Sequence, residues 1–100
     1  RGWSPCGEEP AYSANTKVTC SAFDMCYEIK EVDEEFENFG PNLWPPKMPD
    51  FRDAVYKYYL EFSKVEEKLA NQIEEIFNLD KNFISSKMTE KSPSTMRLIY

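Results

Sequence analysis

Histidine is absent from the 100-residue sequence. Acting alone, these residues therefore cannot build a Ser-His-Asp triad, a Cys-His dyad, a Cys2His2 zinc site or a two-histidine, one-carboxylate iron site. Glycine is scarce, limited to Gly2, Gly7 and Gly40, so no glycine-rich loop is available to cradle a phosphate. Basic residues are outnumbered, 12 Lys and Arg against 18 Asp and Glu, for a net charge of −6. That balance, without interleaved basic and aromatic residues, argues against nucleic acid as a partner. No run approaches the roughly 20 apolar residues of a membrane helix, and the start carries no signal-peptide pattern. The three cysteines, Cys6, Cys20 and Cys26, are an odd number at spacings that match no zinc site. Reduced thiols in a cytoplasmic protein are the expectation, and a small secreted protein with one disulfide is the rival.

What remains is a sequence built to fold. It is 41% hydrophobic and 15% aromatic, too apolar for a disordered chain, and long enough for one domain at most. The chain opens on Arg1-Gly2-Trp3 without methionine and closes on Thr95 to Tyr100, which reads as the middle of a strand. The expectation is a piece of a longer protein, since an unpaired apolar strand would leave an exposed edge.

Residues 1–48 hold all three glycines and five of the seven prolines, so turns and short extended pieces are expected there. Within them Phe23, Met25, Tyr27 and Ile29 alternate in the manner of a short strand. Six carboxylates follow between Glu28 and Glu37, opposed by Lys30. They lack the ligand register and the glycine of a calcium loop and are read as a solvated acidic loop. From Pro49 the character changes. Phe51, Val55, Tyr58, Phe62, Val65, Leu69, Ile73 and Ile76 recur at steps of three and four, which predicts a helix over 49–78, about 40 Å long. Pro49 suits its first turn, Asp50 and Asp53 complement its dipole, and Asn78 suits a left-handed cap before Leu79. Asp80 reads as the N-cap of a short helix over 80–87, and residues 89–93 as a polar turn. Residues 94–100 read as the first strand of a sheet lying outside the chain. The fold class is α+β: irregular loops, one long amphipathic helix, a short helix and the start of a strand. With so little sheet to cover the helix, the isolated chain is expected to fold poorly.

In this order the elements resemble the N-terminal region of the iron(II) and 2-oxoglutarate-dependent dioxygenases, the group that includes isopenicillin N synthase. Arg1-Gly2-Trp3-Ser4-Pro5 resembles the family's Arg-Gly-aromatic segment, and Phe23-Asp24-Met25-Cys26-Tyr27-Glu28 its Phe-Asp-apolar-Gly-x-Glu stretch. Gly40-Pro41-Asn42-Leu43-Trp44-Pro45 resembles the Asn-x-Trp-Pro signature. Pro49-x-Phe51-Arg52, the paired Tyr58-Tyr59 and Leu79 to Phe83 resemble the long helix and the turn after it. Ser94 to Tyr100 resembles the start of the first core strand. The chain departs from the family at Cys26 and Asn78, where glycine is usual.

The resemblance implies a chain continuing into a jelly-roll core that holds Fe(II) and 2-oxoglutarate and oxidises a small molecule. No catalytic, metal or cofactor residue of that core lies in these 100 residues, so the piece is expected to be inactive by itself. Carried over by position, Arg1, Trp3 and Asp24 are candidates for the rim of the substrate entrance; ordinary turn and packing roles are the competing reading. The implied partners are the jelly-roll core and, in the intact enzyme, a small-molecule substrate. The alternative is a standalone helical module that offers its apolar face to a partner protein.

Overall fold

The computed structural model describes residues 1–8, 16–30, 40–88 and 94–100. The acidic residues 31–37 and the turn expected over 89–93 lie outside the described residues. Strands β1 (Gly2–Ser4), β2 (Ala22–Met25) and β3 (Met96–Ile99) and one long helix, α1 (Pro49–Ile76), are the regular elements, with a 3-10 helix at Ser85–Lys87. They fall into two compact units, one made of Arg1–Trp44 with Pro93–Tyr100 and the other of Pro45–Ser92.

In the first unit the strands form an antiparallel sheet in the order β1-β2-β3. Gly2 faces Asp24 and Ser4 faces Ala22 on one side; Ala22 faces Ile99 and Met25 faces Met96 on the other. Mutual backbone bonds between Ser21 and Tyr100, both 3.0 Å, extend the second ladder. The final strand was expected to enter a sheet outside the chain. Instead its partner is β2, which the alternation of residues 23–29 foreshadowed over a longer span than the strand occupies. As the central strand, β2 is buried on both faces through Ala22, Phe23 and Met25, with Cys26 following. The Trp44 ring stacks on Phe23 at 5.4 Å between centroids.

In the second unit α1 spans 28 residues with proline in its first turn and Asp50 beside it. It ends in a Schellman motif. Leu79 N–H donates to Glu74 O at 2.9 Å, Asn78 N–H to Glu75 O at 3.2 Å, and Asn78 takes φ 50°. Asparagine tolerates that conformation because its short polar side chain can bond locally. The segment expected as a short helix over 80–87 is a run of turns that closes in the 3-10 helix. Its N–H groups are capped by Glu74, not by Asp80: the carboxylate accepts from Asn82 N at 2.9 Å, Ile84 N at 2.8 Å and Ser85 N at 2.7 Å.

The stripe that α1 buries is not the apolar one. Tyr59, Ala70 and Glu74 are buried, whereas Tyr58, Phe62, Val65, Leu69, Ile73 and Ile76 are exposed. Tyr58 and Phe62 stack on each other along this exposed stripe, with ring centroids 6.0 Å apart. Each buried residue follows an exposed apolar one by a single position, a rotation of about 100° around the axis.

Candidate functional site

The three residues expected at a substrate rim all lie in the sheet unit. Arg1 donates from its guanidinium to the Gly40 carbonyl. Gly2 follows in a conformation with φ 109°, and a Cβ there would stand 3.1 Å from Leu43 Cβ. Only glycine meets both demands without strain, which accounts for the glycine between Arg1 and the aromatic residue. Trp3 pairs with Phe23 across the ladder and is 68% exposed. Successive strand residues point to opposite faces, so Trp3 shares a face with Phe23 and Asp24 belongs to the other.

Asp24 is engaged by Arg97, its cross-strand partner on β3. Nε donates to Oδ1 and a terminal nitrogen to Oδ2, both at 2.7 Å, in a planar two-bond fork. The structure therefore places Trp3 and Asp24 on opposite faces of the sheet, and it couples Asp24 to a residue 73 positions away. Sequence reasoning missed Arg97, although Asp24 and an arginine in a later strand are the signal that a known register would have joined.

The motif residues with the most developed geometry lie elsewhere. Asn42 is buried and clamps the backbone of Cys26 at two points: Cys26 N–H donates to Oδ1 at 2.9 Å, and Nδ2 donates to Cys26 O at 2.8 Å. The side-chain amide thereby takes the place of a strand neighbour just past the end of β2. Nδ2 also lies 3.4 Å from Glu28 Oε2, which accepts the Trp44 indole N–H at 2.8 Å. Asn42-x-Trp44 thus ties itself to the Cys26-x-Glu28 stretch, while the Trp44 ring covers Phe23. Cys26 needs no positive φ, and its Sγ lies 3.3 Å from Thr95 Oγ1. Among the described residues every buried side-chain nitrogen and oxygen has a hydrogen-bond partner.

Electrostatically, Glu74 stands out in the other unit. Hydrogen bonds from the Ser85 backbone hold its carboxyl below the usual value near 4.5; burial opposes this, and the Ile84 and Asn82 amides reinforce it. A carboxylate spent on three backbone donors is a structural cap. Among the described residues no three His, Cys, Asp or Glu side chains group as a metal site, and no helix is long and apolar enough to cross a membrane.

No family model and no solved structure matches the chain. Over 66 residues it is 36% identical to azadirone synthase LFS of Melia azedarach, a stretch covering 62% of this chain and 20% of the relative. The chain is thus similar to about a fifth of the length of a protein named as a synthase.

Proposed function

We propose that this chain is the N-terminal scaffold and substrate-entrance region of an iron(II)- and 2-oxoglutarate-dependent oxygenase that oxidises a small molecule in the cytoplasm. The observation that carries the reading is the clamp of Asn42 and Trp44 on Cys26 and Glu28. Two stretches that resemble the family's motifs, sixteen residues apart, hold each other through paired bonds, as parts of one inherited scaffold would. Similarity to a named synthase supports the same reading. The residues present do not fit the iron or the cosubstrate: histidine is absent and the described acidic and thiol groups do not cluster. Both would be held by residues beyond this chain.

In this reading each part has a task. The sheet unit fixes Trp3 at the entrance, where its exposed ring offers apolar contact to a small molecule. Arg97 neutralises and orients Asp24 on the opposite face. The exposed stripe Tyr58, Phe62, Val65, Leu69, Ile73 and Ile76 lies against the jelly-roll core, which removes that apolar surface from water.

The test is to sequence the native transcript beyond Tyr100, express the full reading frame and follow 2-oxoglutarate consumption with Fe(II). A downstream His-x-Asp with a distant second histidine, and turnover that depends on both additions, is the expected result. A stop codon directly after Tyr100 would refute the oxygenase reading and leave the apolar stripe to a partner protein.

A further inference from the structure

The ladder between β2 and β3 sets Ala22 opposite Ile99, Phe23 opposite Leu98, Asp24 opposite Arg97 and Met25 opposite Met96. One face of the two strands is apolar throughout, with Phe23 and Met25 against Leu98 and Met96 and with Tyr100 continuing the row. A one-residue slip of β3 would turn that row to the other face and bring Arg97 beside Phe23 or Met25, both buried. Hydrophobic patterning excludes it. A two-residue slip is different, because it keeps every side chain on its own face. In one direction Leu98 comes beside Met25 and Tyr100 beside Phe23; in the other Met96 comes beside Phe23. Apolar residues meet apolar residues in all three registers, and the backbone offers the same N–H and C=O groups in each.

The other face breaks the tie. Asp24 and Arg97 are the only charged residues in the two strands. They face each other in the observed register alone, where two guanidinium nitrogens donate to the two carboxylate oxygens at 2.7 Å. Ser21 and Tyr100 exchange both backbone bonds, so by alternation Asp24–Arg97 is a non-hydrogen-bonded pair, the kind whose side chains stand closer. The Asp24 side chain is only 18% exposed, against 43% for Arg97. After a two-residue slip Asp24 would face Ile99 or Thr95, and a largely covered carboxylate would lose its cation. Exposed ion pairs contribute little, but a two-bond arginine fork on a covered carboxylate is the exception. The contact of Cys26 Sγ with Thr95 Oγ1, at 3.3 Å, falls in the same register, one pair beyond Met25–Met96.

We propose that the Asp24–Arg97 fork sets the register of β3 on β2. Asp24 is then a positioning residue that acts through Arg97, not a group that touches substrate. The apolar face holds β3 against β2 and selects which side of the strand turns inward; the fork selects among the registers that this leaves open. A two-residue slip moves β3 by about 7 Å along its neighbour. The inference stands on the sheet alone and goes beyond the oxygenase reading. Under that reading, the same slip would displace the entry to the jelly-roll core by an equal distance.

The test reads cross-strand Hα–Hα nuclear Overhauser contacts, which non-hydrogen-bonded pairs give, in the 100-residue chain. It uses neither iron nor 2-oxoglutarate, so its outcome is separate from that of the turnover assay. The unsubstituted chain should show the contacts of residue 24 with 97 and 22 with 99. In Asp24→Ala a slipped set, 24 with 99 or 22 with 97, should rise at least about ten-fold relative to the native set, the effect of losing one charge-assisted pair. Exchanging the charges, Asp24→Arg with Arg97→Asp, should restore the native set alone, a rescue that a merely stabilising contact between other groups would not give. Loss of all β2–β3 contacts in Asp24→Ala, with those of β1–β2 kept and the exchange restoring the ladder, would support the proposal equally. Asp24→Ala keeping only the native set would overturn it. So would an exchanged pair that fails to restore that set, or an unsubstituted chain that lacks it.

Discussion

Replacing Asn42 by alanine removes the acceptor of the Cys26 N–H and the donor to the Cys26 carbonyl in one step. Cys26 is 2% exposed, so water cannot take over both bonds without opening the site. Each buried backbone group left unpaired costs about 1–3 kcal/mol, and relaxation recovers part of the sum, which sets the expected penalty at about 3 kcal/mol. That corresponds to roughly a 100-fold change in a local opening constant. Native-state hydrogen exchange at the Cys26 amide reads this quantity directly and does not require the whole chain to melt cooperatively. Protection should fall roughly 100-fold in Asn42→Ala, and more weakly at residues of α1. Asn42→Asp sharpens the test. At neutral pH its carboxylate still accepts from Cys26 N–H, but it faces the Cys26 carbonyl and Glu28 with like charge. That setting favours the neutral acid, so its folded pKa lies above its unfolded one. The penalty should be full at neutral pH and ease as pH falls through the folded value, when the acid can donate to the Cys26 carbonyl. A loss below five-fold in Asn42→Ala, or no pH dependence in Asn42→Asp, would refute the clamp as a source of stability.

Glu74 supplies a second, opposite pH response. Its folded pKa is depressed by the Ser85, Ile84 and Asn82 amides, so its stabilisation is complete above the unfolded value near 4.5 and is lost as pH falls through the folded value. Amide protection at Ile84 and Ser85, corrected for intrinsic rates, should drop over that acid range and should already be low in Glu74→Ala. Gly2→Ala should destabilise the sheet unit by about 1–3 kcal/mol, from the positive φ and the approach to Leu43, measured as lost protection at Phe23 and Asp24. In the 100-residue chain Tyr59→Ala should cost about 3 kcal/mol of amide protection in α1 and Leu69→Ala under about 1, because Tyr59 is 6% and Leu69 53% exposed. Equal costs would show that the stripe expected from the sequence is the buried one.

The long helix was legible because its signal is local: apolar residues at steps of three and four, proline at one end and asparagine past the other. Which stripe it buries was not legible. Hydropathy marks Tyr58, Leu69 and Ile73, yet burial falls on Tyr59, Ala70 and Glu74, one position on in each case. Periodicity reports what is apolar, and only the surrounding structure decides what is covered. Strand β1 escaped notice because three residues cannot display alternation. The site residues fared similarly. Arg1, Trp3 and Asp24 were nominated by resemblance, but the separation of Trp3 from Asp24 depends on a register between strands about twenty residues apart, and the pairing of Asp24 with Arg97 on one between strands some seventy apart.

The strand order β1-β2-β3 has a consequence for how the chain is made. The partner on one side of Met25 is Met96, so the ladder cannot close until synthesis has passed residue 96. At about 5–20 residues per second, several seconds separate the two. Helix α1 lies wholly within that interval and can form in about a microsecond from contacts inside itself. Through those seconds the nascent β2 presents an open, apolar edge to the surroundings, which makes the wait for its last strand the step most exposed to mispairing and to capture by chaperones.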